Sequence, residues 1–141
     1  MNLAENSAHA LRREGLLDAM RSASGTAAPL GLAKATSNLF RDRGKGHKRR
    51  LDLSAFNHVL EVNPAGGWVD VEGLVTYEAL VDACLPHGVM PAVVPQLKTI
   101  TVAGAVAGVG IEATSFRHGL VHDTLLELDV LLPSGEVLRC T

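Results

Sequence analysis

The sequence predicts a mixed α+β domain, and three observations lead there. Tyr77, Leu80, Val81, Cys84 and Leu85 recur at helical spacing. Leu126, Leu128, Val130 and Leu132 alternate with Glu127, Asp129 and Leu131 ahead of a Pro133-Ser134-Gly135-Glu136 turn, the pattern of a β-hairpin closed by Val137 to Cys140. The composition supplies a core for both, with 47% hydrophobic and 20% charged residues in 141.

The elements follow in order along the chain. Residues 7–21 read as a helix capped by Ser7, with Ala8, Leu11, Leu16, Leu17 and Met20 along one side and Arg12, Arg13 and Glu14 facing out; Gly15 weakens it. Residues 22–29 are small and polar, a loop, and Leu30 to Ala33 is a short strand candidate. Leu51 to Leu53 and Val59 to Val62 are further strand candidates. After the turn Pro64-Ala65-Gly66-Gly67, Val69 and Val71 share a face. Thr76 is placed to cap the helix carrying the Tyr77 stripe, Glu78 favours its dipole, and Gly88 stands where a helix ends. In this stripe Cys84 is a small core hydrophobe. Pro91 and Pro95 bracket an extended Ala92-Val93-Val94.

Several function classes are excluded or disfavoured. A net charge of −2 and only five aromatic residues (one Trp, one Tyr, three Phe) argue against a base-stacking nucleic-acid surface. Cys84 and Cys140 lack metal-ligand spacing, so neither a zinc site nor a disulfide scaffold is expected. The N-terminus has no secretory pattern, and the longest apolar run falls short of the roughly 20 residues a membrane-spanning helix needs. A cytoplasmic setting is the expectation. Six of the thirteen basic residues fall within 41–50. That run is either a solvated loop or an anion site, with membrane-surface association the other use of such charge. His118 and His122, beside Asp123, lack an evident third ligand and read as turn and surface residues rather than a metal site.

The segment Thr101-Val102-Ala103-Gly104-Ala105-Val106-Ala107-Gly108-Val109-Gly110-Ile111-Glu112-Ala113 stands apart because small side chains dominate it. It is not a Walker motif, having no closing Gly-Lys-Ser/Thr. It is not a dinucleotide fingerprint either, since Ala113 stands at the third glycine and a hairpin follows. Two readings remain open: tight packing within the core, or a loop whose amides wrap a diphosphate.

The chain resembles the FAD-binding (PCMH-type) domain of the vanillyl-alcohol oxidase and p-cresol methylhydroxylase family, most of all its delta(24)-sterol reductase branch. The likeness runs through Gly44-Lys45-Gly46-His47-Lys48, Val59-Leu60-Glu61-Val62 and Val69-x-Val71-Glu72-x-Leu74-Val75-Thr76. It continues through 95–104, Gly108-x-Gly110-Ile111-Glu112 and Ser115-x-x-His118-Gly119-Leu120, and ends on the 132–141 hairpin strand. It covers roughly Leu30 to Thr141, leaving 1–29 as an N-terminal helix and loop.

The resemblance implies two small α/β subdomains with FAD held noncovalently between them. It makes Thr101 to Ala113 the diphosphate-contacting stretch and gives Arg41 and Lys45 the role of phosphate partners. It also implies an oxidoreductase that passes hydride from a nicotinamide donor such as NADPH through the flavin to an alkene, as in a small hydrophobic sterol; an FAD-linked oxidase using oxygen fits the same half. Glu112 and Thr114 are candidates to hydrogen-bond the cofactor, and His47 lies in the basic loop without a covalent role in this branch. The sequence departs from the family at Ala103, which replaces the first of two usual glycines, and at 35–41, where the usual glycine-rich loop is degraded. The family's substrate domain is absent after Thr141, so an incomplete domain is expected, inactive alone or a non-enzymatic remnant, and no catalytic residue is assigned.

Overall fold

Local rules account for most of the elements of this chain, and three short two-stranded pairs plus four helices carry the fold among the described residues. The structure is a computed structural model that describes residues 3–23, 29–34 and 48–141. In chain order the elements are α1 (Leu3–Ala23), β1 (Leu30–Ala33), β2 (Arg49–Asp52), β3 (Val59–Asn63), β4 (Trp68–Val71), α2 (Tyr77–Cys84), α3 (Val102–Ala107), α4 (Ser115–His118), β5 (Leu128–Leu131) and β6 (Val137–Cys140). Single turns of 3₁₀ helix occupy Leu85–His87 and Val121–Thr124.

The β1 and β2 strands pair in parallel, Leu30 opposite Arg49 and Ala33 opposite Asp52. The β3 and β4 strands form an antiparallel hairpin with an irregularity between Val59 and Glu61, its turn passing through Gly67 at φ 69°. The C-terminal hairpin falls where alternation places it: Val130 faces Leu138, and Asp129 faces Arg139. Arg139 grips Asp129 across the pair, Nε to Oδ1 at 2.8 Å and Nη2 to Oδ2 at 3.1 Å.

The α2 helix starts at the expected cap, with the Thr76 hydroxyl accepting from the Ala79 amide at 3.2 Å. Tyr77, Leu80 and Cys84 are buried in its stripe, but Leu85 is exposed. Pro86 has no amide to continue the helix, so the chain tightens into the 3₁₀ turn and leaves at Gly88, φ 71°, swinging Leu85 outward. The core joins Val75, Tyr77, Leu80, Cys84, Val93, Ala105 and Val121.

The helix expected over 7–21 spans Leu3–Ala23 and passes through Gly15, but its face is rotated from the expectation. Met20 is buried while Leu11 is exposed, and Arg12 turns inward. The cause is Glu72: its buried carboxylate takes the Arg12 guanidinium, and a helix can present only one side to the body.

Candidate functional site: the small-residue segment

Within the segment Thr101 to Ala113 the chain forms a short helix, α3, over Val102–Ala107, and continues as turn and irregular chain over 108–113. Thr101 caps it through a 3.2 Å bond from the Gly104 amide to its hydroxyl. Ala103, Ala105 and Ala107 are strong helix formers, which the glycines between them mask in a sequence reading.

The first-turn amides of α3 are already engaged. Val102 N–H donates to the Val75 carbonyl and Ala103 N–H to the Gly73 carbonyl, both at 2.9 Å, and Ala105 N–H reaches back to Thr101. The α2 terminus is served in return: Tyr77 N–H donates to Ile100 O at 2.9 Å and Glu78 N–H to Lys98 O at 3.0 Å. Thr76 and Thr101 sit across a β-bridge, so the two helices cap each other through one short antiparallel ladder.

The far end of α3 is closed as tightly. Gly110 N–H donates to Ala105 O at 2.8 Å and Val109 N–H to Val106 O at 3.4 Å, the paired bonds of a Schellman ending. The C′ position of that motif holds Val109, at φ 54°. Farther on, Glu112 N–H donates to Ser115 Oγ at 2.9 Å. Ile111 and Ala113 are left with amides that find no acceptor among the described residues.

Three glycines of the segment are accounted for by its own packing. A Cβ on Gly104 would stand 2.9 Å from Thr101 Oγ1, on Gly108 2.9 Å from Gly104 O, and on Gly110 2.9 Å from Val121 Cγ2. Ala103, the departure from the family's double glycine, lays its methyl over Gly73, where an added Cβ would meet it at 3.2 Å. Ala103, Gly104, Ala107 and Gly108 are nevertheless exposed, unlike buried Ala105; of these Ala107 has no part in the contacts just described, and beyond them Val109, Ile111 and Phe116 stand open.

The remaining candidates are placed as follows. Glu112 is half-buried, and its charge adds to burial in pushing the Tyr77 phenol above its ordinary range. The Thr114 hydroxyl donates to the Ala92 carbonyl at 2.8 Å, so its proton is spent within the protein. Asp123 accepts from the Leu120 amide at 2.8 Å and lies 3.7 Å from His122, a turn-stabilising arrangement at Gly119. Among the described residues no group of three His, Cys, Asp or Glu is placed to hold a metal ion. Arg41, Lys45 and His47 lie outside the described residues. Of the rest of the basic run, Arg49 reaches toward the Ser22 carbonyl at 3.5 Å.

Sequence reasoning missed one cluster. Glu72, immediately after β4, has no exposed side-chain surface and gathers donors from His9, Arg12 and His58. A cavity of about 540 Å³ lies alongside, between α1 and β2, lined by Arg12, Leu16, Leu51 and Phe56 among others.

The geometry leaves exposed small residues and, at Ile111 and Ala113 past the end of α3, amides with no acceptor among the described residues, and comparison with known proteins supplies the rest. The family model for an FAD binding domain matches residues 12–141. The chain belongs to that family. It is 36% identical over 91 residues to the delta(24)-sterol reductase of Arabidopsis thaliana, covering 64% of this chain and 16% of that protein. To cytokinin dehydrogenase 10 of Oryza sativa subsp. japonica it is 30% identical over 129 residues, 79% of this chain and 24% of the relative. The human delta(24)-sterol reductase matches at 34% over 83 residues, 59% of this chain and 16% of that protein. The chain thus spans only 16% to 24% of the length of these relatives. It is an FAD-binding domain of a flavin-dependent oxidoreductase family with the α+β, PCMH-type fold, as the resemblance implied. No helix among the described residues is long and apolar enough to cross a membrane.

Proposed function

We propose that this chain is the flavin-holding part of an oxidoreductase that reduces an alkene, such as a sterol side chain, with a nicotinamide donor. The family match over residues 12–141 carries the flavin half of this reading, and the 36% identity with a sterol reductase supports the substrate class. FAD, held noncovalently, supplies hydride acceptance and donation when bound.

The residues fit that role in a specific way. Ala107 and Gly108 present no atoms beyond a methyl on the open face of α3, which admits a flat or extended ligand close to the backbone. Ile111 and Ala113 hold the unspent N–H donors for phosphate oxygens; the N-terminal amides of α3 do not contribute, being engaged with Gly73, Val75 and Thr101. Arg41 and Lys45 add cationic partners.

A second reading, an FAD-linked oxidation with oxygen among the acceptors, is favoured by the cytokinin dehydrogenase likeness, which extends over more of the chain. Titration with FAD tests the shared half. The chain is expected to take up flavin that denaturation releases unmodified, and Ala107→Leu is expected to weaken binding at least about tenfold, or ~1.4 kcal/mol, with the fold intact. Failure of both this chain and a longer one to take up flavin refutes the proposal. Anaerobic reduction of the bound flavin by NADPH then separates the reductase from the oxidase.

A further inference from the structure

The seven buried residues that form the core include nothing from α1, β1 or β2. Among the described residues Met20 is the one buried hydrophobic side chain of α1, with Leu16 and Leu17 half-buried, so only a small apolar contact separate from that core holds the helix. A single carboxylate does much of the rest. Glu72 Oε1 accepts from His9 Nδ1 at 2.8 Å and Arg12 Nε at 2.9 Å, with Arg12 Nη2 at 2.7 Å. Oε2 accepts from the His58 amide at 2.9 Å and His58 Nδ1 at 2.8 Å. His9 also sets its ring edge-on to Phe56, centroids 6.2 Å apart.

Every group facing this carboxylate is a donor: His9 and Arg12 from α1, and His58 from the chain before β3. His9 and Arg13 of α1 also act electrostatically on the Asp129 carboxylate of β5. Both oxygens of Glu72 are saturated, so no neutral group replaces it in kind. A protonated acid or a Gln amide would turn a donor toward donors on one side, leaving part of the set unpaired.

We propose that Glu72 is a charge-dependent latch: while ionised it clamps α1 to the body, and without its charge α1 lets go while the Val75–Val121 core stays folded. Release widens the half-open groove between α1 and β2 and bares Leu51 and Phe56. This goes beyond flavin binding and does not depend on it. The latch also has a direction in pH. Burial alone would raise the Glu72 pKa, but hydrogen bonds from His9, then His58 and Arg12, outweigh it and hold the carboxyl below its ordinary 4.5. The clamp is therefore fully present above pH 4.5 and is lost as the pH falls below it.

Hydrogen exchange on the full chain at neutral pH tests this. In Glu72→Gln the α1 amides are expected to lose at least about tenfold in protection, a released helix being marginal alone, while α2 amides change far less. Should that variant fail to fold, Arg12→Met, which keeps the apolar stem, is expected to give the same selective loss. In the wild type, acidification below pH 4.5 is expected to expose α1 before α2. Equal losses in α1 and α2, or unchanged α1 protection in both variants, overturn the proposal.

Discussion

Val109 gives the sharpest test of the backbone geometry around α3. It occupies the C′ position of a Schellman ending at φ 54°, where a β-branched residue is strained. Because Val109 is 54% exposed, much of its side chain already contacts water, and the comparison that isolates the backbone is Val109→Ala against Val109→Gly. Relief of the left-handed conformation is worth about 1–2 kcal/mol, and the greater freedom of glycine in the unfolded chain returns about 0.5–1 kcal/mol of it. The glycine variant is then more stable than the alanine variant by up to about 1.5 kcal/mol. At Ala107, exposed and in the right-handed last position of α3, the same Ala→Gly change costs up to about 1 kcal/mol. The two sites are expected to give opposite signs. In thermal unfolding the shifts are about 2–4 °C per kcal/mol for a domain near this size. If glycine is worse than alanine at position 109 by as much as at 107, the left-handed ending is wrong and the helix runs on.

Two further outcomes follow from packing and titration. Gly110→Ala places a methyl 2.9 Å from Val121 Cγ2 and is expected to cost about 1–3 kcal/mol in urea unfolding. Adding Val121→Ala removes the obstructing methyl, so the double variant is expected to cost less than the sum, and strict additivity would falsify the contact. The single tyrosine, Tyr77, has its phenol raised above the ordinary 10.0 by burial and, less, by the Glu112 charge. A group raised in the native state contributes stability that is intact below pH 10.0 and is lost as the pH climbs past it. Tyrosinate absorbance is expected to rise only above that pH, together with unfolding; ionisation at the ordinary pH with the fold intact refutes the burial.

What could be read from the sequence divides along the reach of the interaction. The Leu128–Cys140 hairpin and the Thr76-capped helix α2 depend on alternation, a cap and a turn within a few residues, and both lie where expected. Parallel pairing of β1 with β2 joins residues 19 apart in sequence, as Leu30 and Arg49, and no local pattern encodes it. Glu72 is the extreme case. A glutamate after a strand reads as surface, and its burial is intelligible only once His9 and Arg12, 63 and 60 residues away, arrive to satisfy it. The same arrival turned Leu11 out to solvent and Arg12 in. The α3 segment failed locally for a different reason: glycine marks loops and alanine marks helices, and an alternation of the two leaves the decision to the Thr101 cap and to the ladder with 73–78.

That ladder bears on how the family's cofactor meets this chain. A helix N-terminus attracts anions because its first amides lack partners. In α2 and α3 those amides are spent on each other's approaching strand, with Thr76 and Thr101 completing the set. A diphosphate gains nothing by lying across either terminus. Under the proposed function, α3 would offer shape instead, a face kept bare at Ala107 and Gly108, followed at once by the free donors of Ile111 and Ala113. On this geometry the small residues serve two ends at once. Gly104, Gly108 and Gly110 let the helix cap, close and pack on Val121, and the bare outer face is what remains for a ligand. Enlarging an inner glycine is therefore expected to be a folding defect, whereas on the proposed flavin site enlarging Ala107 is expected to be a binding defect, and the two substitutions separate the roles that the sequence alone runs together.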